Sequence, residues 1–188
     1  FLKEWGGINP DDIRANDNQI FRHAVALADL AVCKFFVDWG NLTVNDLRAN
    51  KNEAFMLAAS NNDVPMCQFL IDSGLTIDDI SDNENAALIE AACSGSLEVC
   101  QFFKKCGLRV SDARSRDNVA LKFAATNGHL HILQFLADWK TIDPDDGTSD
   151  CLTLFDIGSE GHQAYTLAKK NNNAEVCAFI KNWVRSRP

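Results

Sequence analysis

Val99-Cys100-Gln101-Phe102-Phe103 decides the fold, because its apolar pattern occurs five times in the chain. It returns as Val32-Cys33-Lys34-Phe35-Phe36, Met66-Cys67-Gln68-Phe69-Leu70, Ile132-Leu133-Gln134-Phe135-Leu136 and Val176-Cys177-Ala178-Phe179-Ile180. The steps between copies are 34, 33, 33 and 44 residues. A fixed period of this size marks a repeat architecture, in which each unit buries its apolar face only against its neighbours. The 188 residues therefore count units rather than globular cores.

Each unit carries the same signals. A first helix holds Ala120-Leu121 with Ala124-Ala125, matched by Ala87-Leu88 with Ala91-Ala92, Ala54-Phe55 with Ala58-Ala59 and Ile20-Phe21 with Ala24-Val25. This i, i+1, i+4, i+5 spacing is one helical face. A polar break follows, at Asn61-Asn62-Asp63, Ser94-Gly95-Ser96, Asn127-Gly128-His129 and Asn171-Asn172-Asn173, where Gly and Asn tolerate the left-handed end of a helix. Ser96 and Asp63 suit the N-cap of the second helix. The second helix has apolar residues at i, i+2, i+3, i+5 and i+6, a stripe broad enough to be covered on both flanks. Gly74 or Gly107 stops it, and a segment such as Leu75-Thr76-Ile77-Asp78-Asp79-Ile80 is expected to run extended to the next helix.

The expected organisation is one array over 1–188. Residues 1–6 read as the end of a preceding repeat, since Gly6 and Gly40 share a phase. Repeats follow at 7–40, 41–74, 75–107 and 108–140, with an elongated last repeat at 141–188 that carries an inserted loop.

Composition excludes several classes. The net charge is −8 and the pI about 4.9, which disfavours nucleic acid and anionic membrane as partners. No apolar run approaches the roughly 20 residues of a membrane-spanning helix. Four of the seven cysteines (Cys33, Cys67, Cys100, Cys177) share one phase inside the apolar stripe, as small buried hydrophobes would. That pattern is not a disulfide framework, and it predicts a reducing compartment, cytoplasm or nucleus. Cys93, Cys106 and Cys151 are expected nearer the surface.

The 33-residue unit of helix, turn, helix, Gly and polar loop resembles the ankyrin repeat. Asn127-Gly128-His129-Leu130 is similar to the family's G-H-L junction, and Ala124-Ala125 to the alanine pair of its first helix. The family's T-P-L-H opening is absent. Val119-Ala120-Leu121-Lys122, Ala86-Ala87-Leu88-Ile89 and Glu53-Ala54-Phe55-Met56 take its place, and Asn118, Asn85, Asn52 and Asn18 are expected to assume the capping role. Loops such as Asp46-Leu47-Arg48-Ala49-Asn50-Lys51-Asn52 resemble those of divergent arrays from large DNA viruses and amoeboid hosts. The implied fold is an all-α solenoid of stacked helix-turn-helix units with extended loops, about five repeats plus an N-terminal partial one.

The resemblance also implies how such a chain acts: it binds another protein through loop tips and the inner faces of the first helices. Carried onto this sequence, the tip residues are Arg14, Asn16, Asp17, Arg48, Lys51, Asn83, Glu84, Arg114, Arg116 and Asp117. The groove residues are His23, Leu57, Glu90 and Phe123. The insertion adds Leu154 and Phe155, which either cap the last repeat or dock a partner. The expected function is a non-enzymatic adaptor, as a monomer or as part of a longer chain. The alternative is the targeting or substrate-recruiting segment of a larger enzyme or ubiquitin-ligase-type assembly.

Chemistry-bearing patterns are weak. No Gly-rich phosphate loop is present. His129 and His131 diverge by about 200° on a helix and cannot share a metal. The phase-matched thiols would stand roughly 10 Å apart in a stack, too far for one ion with ligands at about 2.3 Å. Asp143-Pro144-Asp145-Asp146-Gly147 lacks the Gly and Glu positions of a calcium loop. The Trp residues at the ends of second helices (Trp5, Trp39, Trp139, Trp183) read as packing against the next loop, or as an aromatic strip for a partner. No cofactor or metal is expected.

Overall fold

The computed structural model describes residues 9–142, 149–152 and 163–186. The readings made for Phe1–Gly6, for the calcium-like stretch 143–147 and for Leu154 and Phe155 lie outside these residues. The described chain is all-α apart from one hairpin. In order it runs α1 (Pro10–Ala26), α2 (Leu30–Gly40), α3 (Val44–Leu47), α4 (Ala49–Ser60), α5 (Val64–Asp72), α6 (Ile77–Ser94), α7 (Leu97–Cys106), α8 (Val110–Ala113), α9 (Ser115–Asn127), α10 (Leu130–Ala137), β1 (Lys140–Ile142), β2 (Ser149–Cys151), α11 (Gln163–Lys170) and α12 (Ala174–Ser186). The first helices α1, α4, α6, α9 and α11 pack each on the next, and the second helices α5, α7, α10 and α12 form a second layer. The strands pair antiparallel, Lys140 opposite Cys151.

The core is the periodic set read above. Ala24, Ala58, Ala91, Ala124 and Ala168 are buried between first helices, and Cys33, Cys67 and Cys100 are fully buried in the second layer. Cys177 is partly exposed instead, because no described helix packs beyond α12. Burial pushes the Cys33, Cys67 and Cys100 thiols up to about 12. Phe55 and Phe103 meet edge to face across two units, 6.1 Å between ring centres. Trp139 is fully buried and Trp183 nearly so, while Trp39 stacks on Phe35 at 5.5 Å.

The connectors depart from expectation. Leu75–Ile80 is not extended: helix begins at Ile77, after Thr76. Thr76, Thr43, Asn9 and Arg109 share a phase. In each case the backbone N–H donates to the carboxylate three residues on, at 2.7–2.8 Å, in Asp79, Asp46, Asp12 and Asp112. A local acceptor for an otherwise orphan N–H starts a helical turn in place of a strand.

That turn reaches the first helix through three consecutive left-handed residues. These are Asn16-Asp17-Asn18, Asn50-Lys51-Asn52, Asn83-Glu84-Asn85 and Arg116-Asp117-Asn118, all with φ between 51° and 63°. Nine of these twelve are Asn or Asp, the residue types that enter this region most readily. The conformation overturns the capping expected of Asn18, Asn52, Asn85 and Asn118. An N-cap needs extended backbone, and these residues have φ near 60°. The Asn18 amide instead donates to Asp46 O at 2.9 Å, and the Asn52 amide to Asp82 Oδ2 at 2.9 Å, both in the next unit.

At the other end of α1, α6 and α9 the next unit supplies the cap. Asn61 Nδ2 donates to Ala26 O, Asn127 Nδ2 to Cys93 O and Asn173 Nδ2 to Thr126 O, each at 2.8 Å. His129 Nε2 adds a 2.9 Å contact to Cys93 O. Orphan carbonyls of one helix are thus satisfied from its neighbour. The seating is close at Gly95 (φ 77°), where a Cβ would lie 2.8 Å from the His129 ring. Only glycine meets both conditions there.

Candidate partner-binding surface

The surface is built from two rows that the repeat phase brings side by side: the left-handed tips, and one exposed row along the first helices. The tip arginines turn their charge into the stack. Arg14 Nη2 donates to Gly40 O at 2.9 Å and to Asn41 O at 2.7 Å, and its Nε lies 3.5 Å from Asp46 Oδ1. Arg48 grips Asp79 with two bonds, Nε to Oδ1 at 2.6 Å and Nη2 to Oδ2 at 3.0 Å. Arg114 reaches both Asp150 oxygens at 2.9 Å and Cys151 O at 2.6 Å, fastening β2 of the hairpin. Arg14, Arg48 and Arg114 share one phase, and each holds the unit that follows.

These contacts leave a mark on the acids. Burial pushes the Asp79 carboxyl up, but the Arg48 guanidinium and the Thr76 N–H and hydroxyl outweigh it and hold the group below its ordinary value. Asp46 behaves alike: burial raises it, while Thr43, Arg14 and Asn18 lower it further than burial lifts it.

The remaining tip charges pair mostly along the rim. Arg116 bonds Glu84 and also reaches Asn83 O, and Ser115 Oγ donates to Glu84 O at 2.8 Å. Lys122 pairs with Asp117. Arg22 pairs with Glu53 and donates to Asp17 O at 2.9 Å. Asn16 donates to Gln19, and Asn50 to Glu53. Lys51 and the Asp17 carboxylate stand exposed.

The groove candidates His23, Leu57, Glu90 and Phe123 fall at one phase on α1, α4, α6 and α9, which pack in that order. His23 is exposed, Leu57 and Glu90 are partly so, and Phe123 keeps 42% of its surface. Sequence reading missed Leu27, which is 67% exposed at the C-cap of α1. Its signal was available: Leu27 stands at the phase of Asn61, Ser94 and Asn127, an apolar residue where the other units are polar. Ile20 and Phe35 are also exposed large apolar residues.

Among the described residues no group of three or more His, Cys, Asp or Glu could hold a metal ion, and no helix is long and apolar enough to cross a membrane. Comparison with curated proteins gives no match. Residues 21–113 match the family model described as ankyrin repeats (3 copies). Such repeats are in general protein–protein interaction modules and typically non-catalytic. The matched span covers the end of α1 and all of α2 to α8, and the same phase continues through α9 to α12 in stacked helix pairs, so the chain belongs to the ankyrin-repeat family.

Proposed function

We propose that this array is a non-enzymatic adaptor that binds a partner protein across the exposed row of its first helices, with the tips as its flank. Units of 7–40, 41–74, 75–107, 108–140 and 141–188 form part of that reading. The observation that carries it is the row itself. Leu27, Leu57 and Phe123 leave apolar surface uncovered along one side of the first helices, and Ile20 of α1 adds to it; large exposed apolar residues rimmed by polar ones mark interaction sites. His23 and Glu90 place polar groups within the row. Arg14, Arg48, Arg114 and Arg116 flank it as structural pairs, and Lys51 and Asp17 offer charge to a partner.

The test compares two double variants of similar charge. Leu57→Asp with Phe123→Asp alters the row, and Gln68→Asp with Gln101→Asp alters the second-helix layer. The reading expects the partner recovered by wild-type protein to be lost by the first pair and kept by the second. Loss or retention by both pairs alike removes it.

A further inference from the structure

We propose that the outer face of α11 and α12 is a separate docking site for an acidic protein segment bearing a bulky apolar side chain. A cavity of about 270 Å³ opens there, lined by Tyr165, Ile180, Lys181, Val184 and Arg185. Ile180 and Val184 are one helical turn apart on α12, and so are Lys181 and Arg185. An apolar row and a basic row therefore run in parallel along the same helix. Ile180 is buried at the floor, and the Lys181 ammonium sits 5.3 Å from the centre of the Tyr165 ring. Tyr165 falls at the phase of Phe21, Phe55, Leu88 and Leu121, all buried in their units. Here that position is an amphipathic ring, partly exposed and topped by a cation.

Charge selects the occupant. Residues 163–186 carry four cations (Lys169, Lys170, Lys181, Arg185) against one acid (Glu175), in a chain whose net charge is −8. Glu175 lies in the first turn of α12, about 15 Å along the helix from Arg185. The basic rim thus faces the cavity without a local acid on its own helix. A short acidic segment gains from that rim, and its apolar side chain gains from the carbon floor. A long polyanion would run beyond this face onto an acidic molecule, and a phosphate finds no use for Ile180 and Val184. The cavity is smaller than the roughly 300–1,000 Å³ of small-molecule sites, which suits one side chain.

The test is fluorescence anisotropy of the whole chain with a fluorescein-labelled peptide, EDDLFDEE. Saturable binding is expected, weakened at least about tenfold by Lys181→Glu with Arg185→Glu, two exposed changes that keep the fold. A similar loss is expected when the peptide's Leu and Phe become Ser, or when Val184→Glu charges the floor. Phe123→Asp leaves this binding unchanged, so the site stands or falls apart from the first-helix row. Four results overturn it: no saturable binding; binding indifferent to Lys181 and Arg185; binding indifferent to the peptide's apolar residues; or equal affinity for a single-stranded oligonucleotide or phosphatidylserine vesicles.

Discussion

Arg48 and Asp79 are 31 residues apart in the chain and meet as a two-bond fork between neighbouring units, with the Asp79 carboxylate buried and the guanidinium partly exposed. The same aspartate starts its own helix by accepting the Thr76 N–H at 2.8 Å. One side chain therefore sets both a local turn and the register of the stack. Asp79→Asn is expected to lower stability by about 1–2 kcal/mol, short of a fully buried pair because Arg48 reaches solvent. Arg48→Met in the same background is expected to add little more, which a double-mutant cycle by urea denaturation measures.

Acid should act through the same group. The Asp79 and Asp46 carboxyls lie below their ordinary values in the folded chain. As pH falls past about 4, the unfolded chain takes up protons first, so stability falls with pH in that window. Above it the contribution is fully present. In Asp79→Asn the loss of stability between pH 5 and pH 3 is expected to be smaller than in wild type, read from urea midpoints at each pH.

Unit three lacks the arginine. Ser81 stands at the phase of Arg14, Arg48 and Arg114, and Asp112 at that of Asp46 and Asp79. Ser81→Arg is expected to supply the missing link and raise stability by about 0.5–1 kcal/mol. The gain should vanish in an Asp112→Asn background.

The left-handed tips make an opposite kind of prediction. Lys51 is exposed at φ 60° and ψ 47°. Lys51→Gly is expected to raise stability by about 0.5–1 kcal/mol by removing the Cβ penalty, and Lys51→Ile to lower it by about 1 kcal/mol. Equal effects of the two would contradict the left-handed assignment.

Thiol chemistry reports the layers. Cys33, Cys67 and Cys100 are expected to resist iodoacetamide in the folded protein at pH 8, being buried and poorly ionised. Cys93, Cys151 and Cys177, partly exposed, are expected to react first. Intact mass over time counts the protected thiols.

How much of this the sequence disclosed follows from which interactions are periodic. Ala91 and Cys100 recur at fixed phase because the core repeats, so helix pairs and their stacking were legible. The connectors were not. Thr76 and Asp79 read as a β-like loop until the carboxylate is seen on the backbone N–H. Asn50-Lys51-Asn52 reads as a generic turn, since only the φ values distinguish a left-handed turn from a capped start. The candidate surface divides the same way. The row of His23, Leu57, Glu90 and Phe123 came from the family resemblance carried along the repeat phase. The engagement of Arg14, Arg48 and Arg114 within the stack needed pairings about 30 residues apart, which no local pattern reveals.

The most direct measurement places a photo-crosslinking benzoylphenylalanine at position 123 in one protein and at position 101 in another, and maps the crosslinked peptides by mass spectrometry. The account predicts that one partner protein is captured from position 123, on the exposed first-helix row, and not from position 101 on the second-helix layer. Capture of that partner from 101 and not from 123 would contradict it.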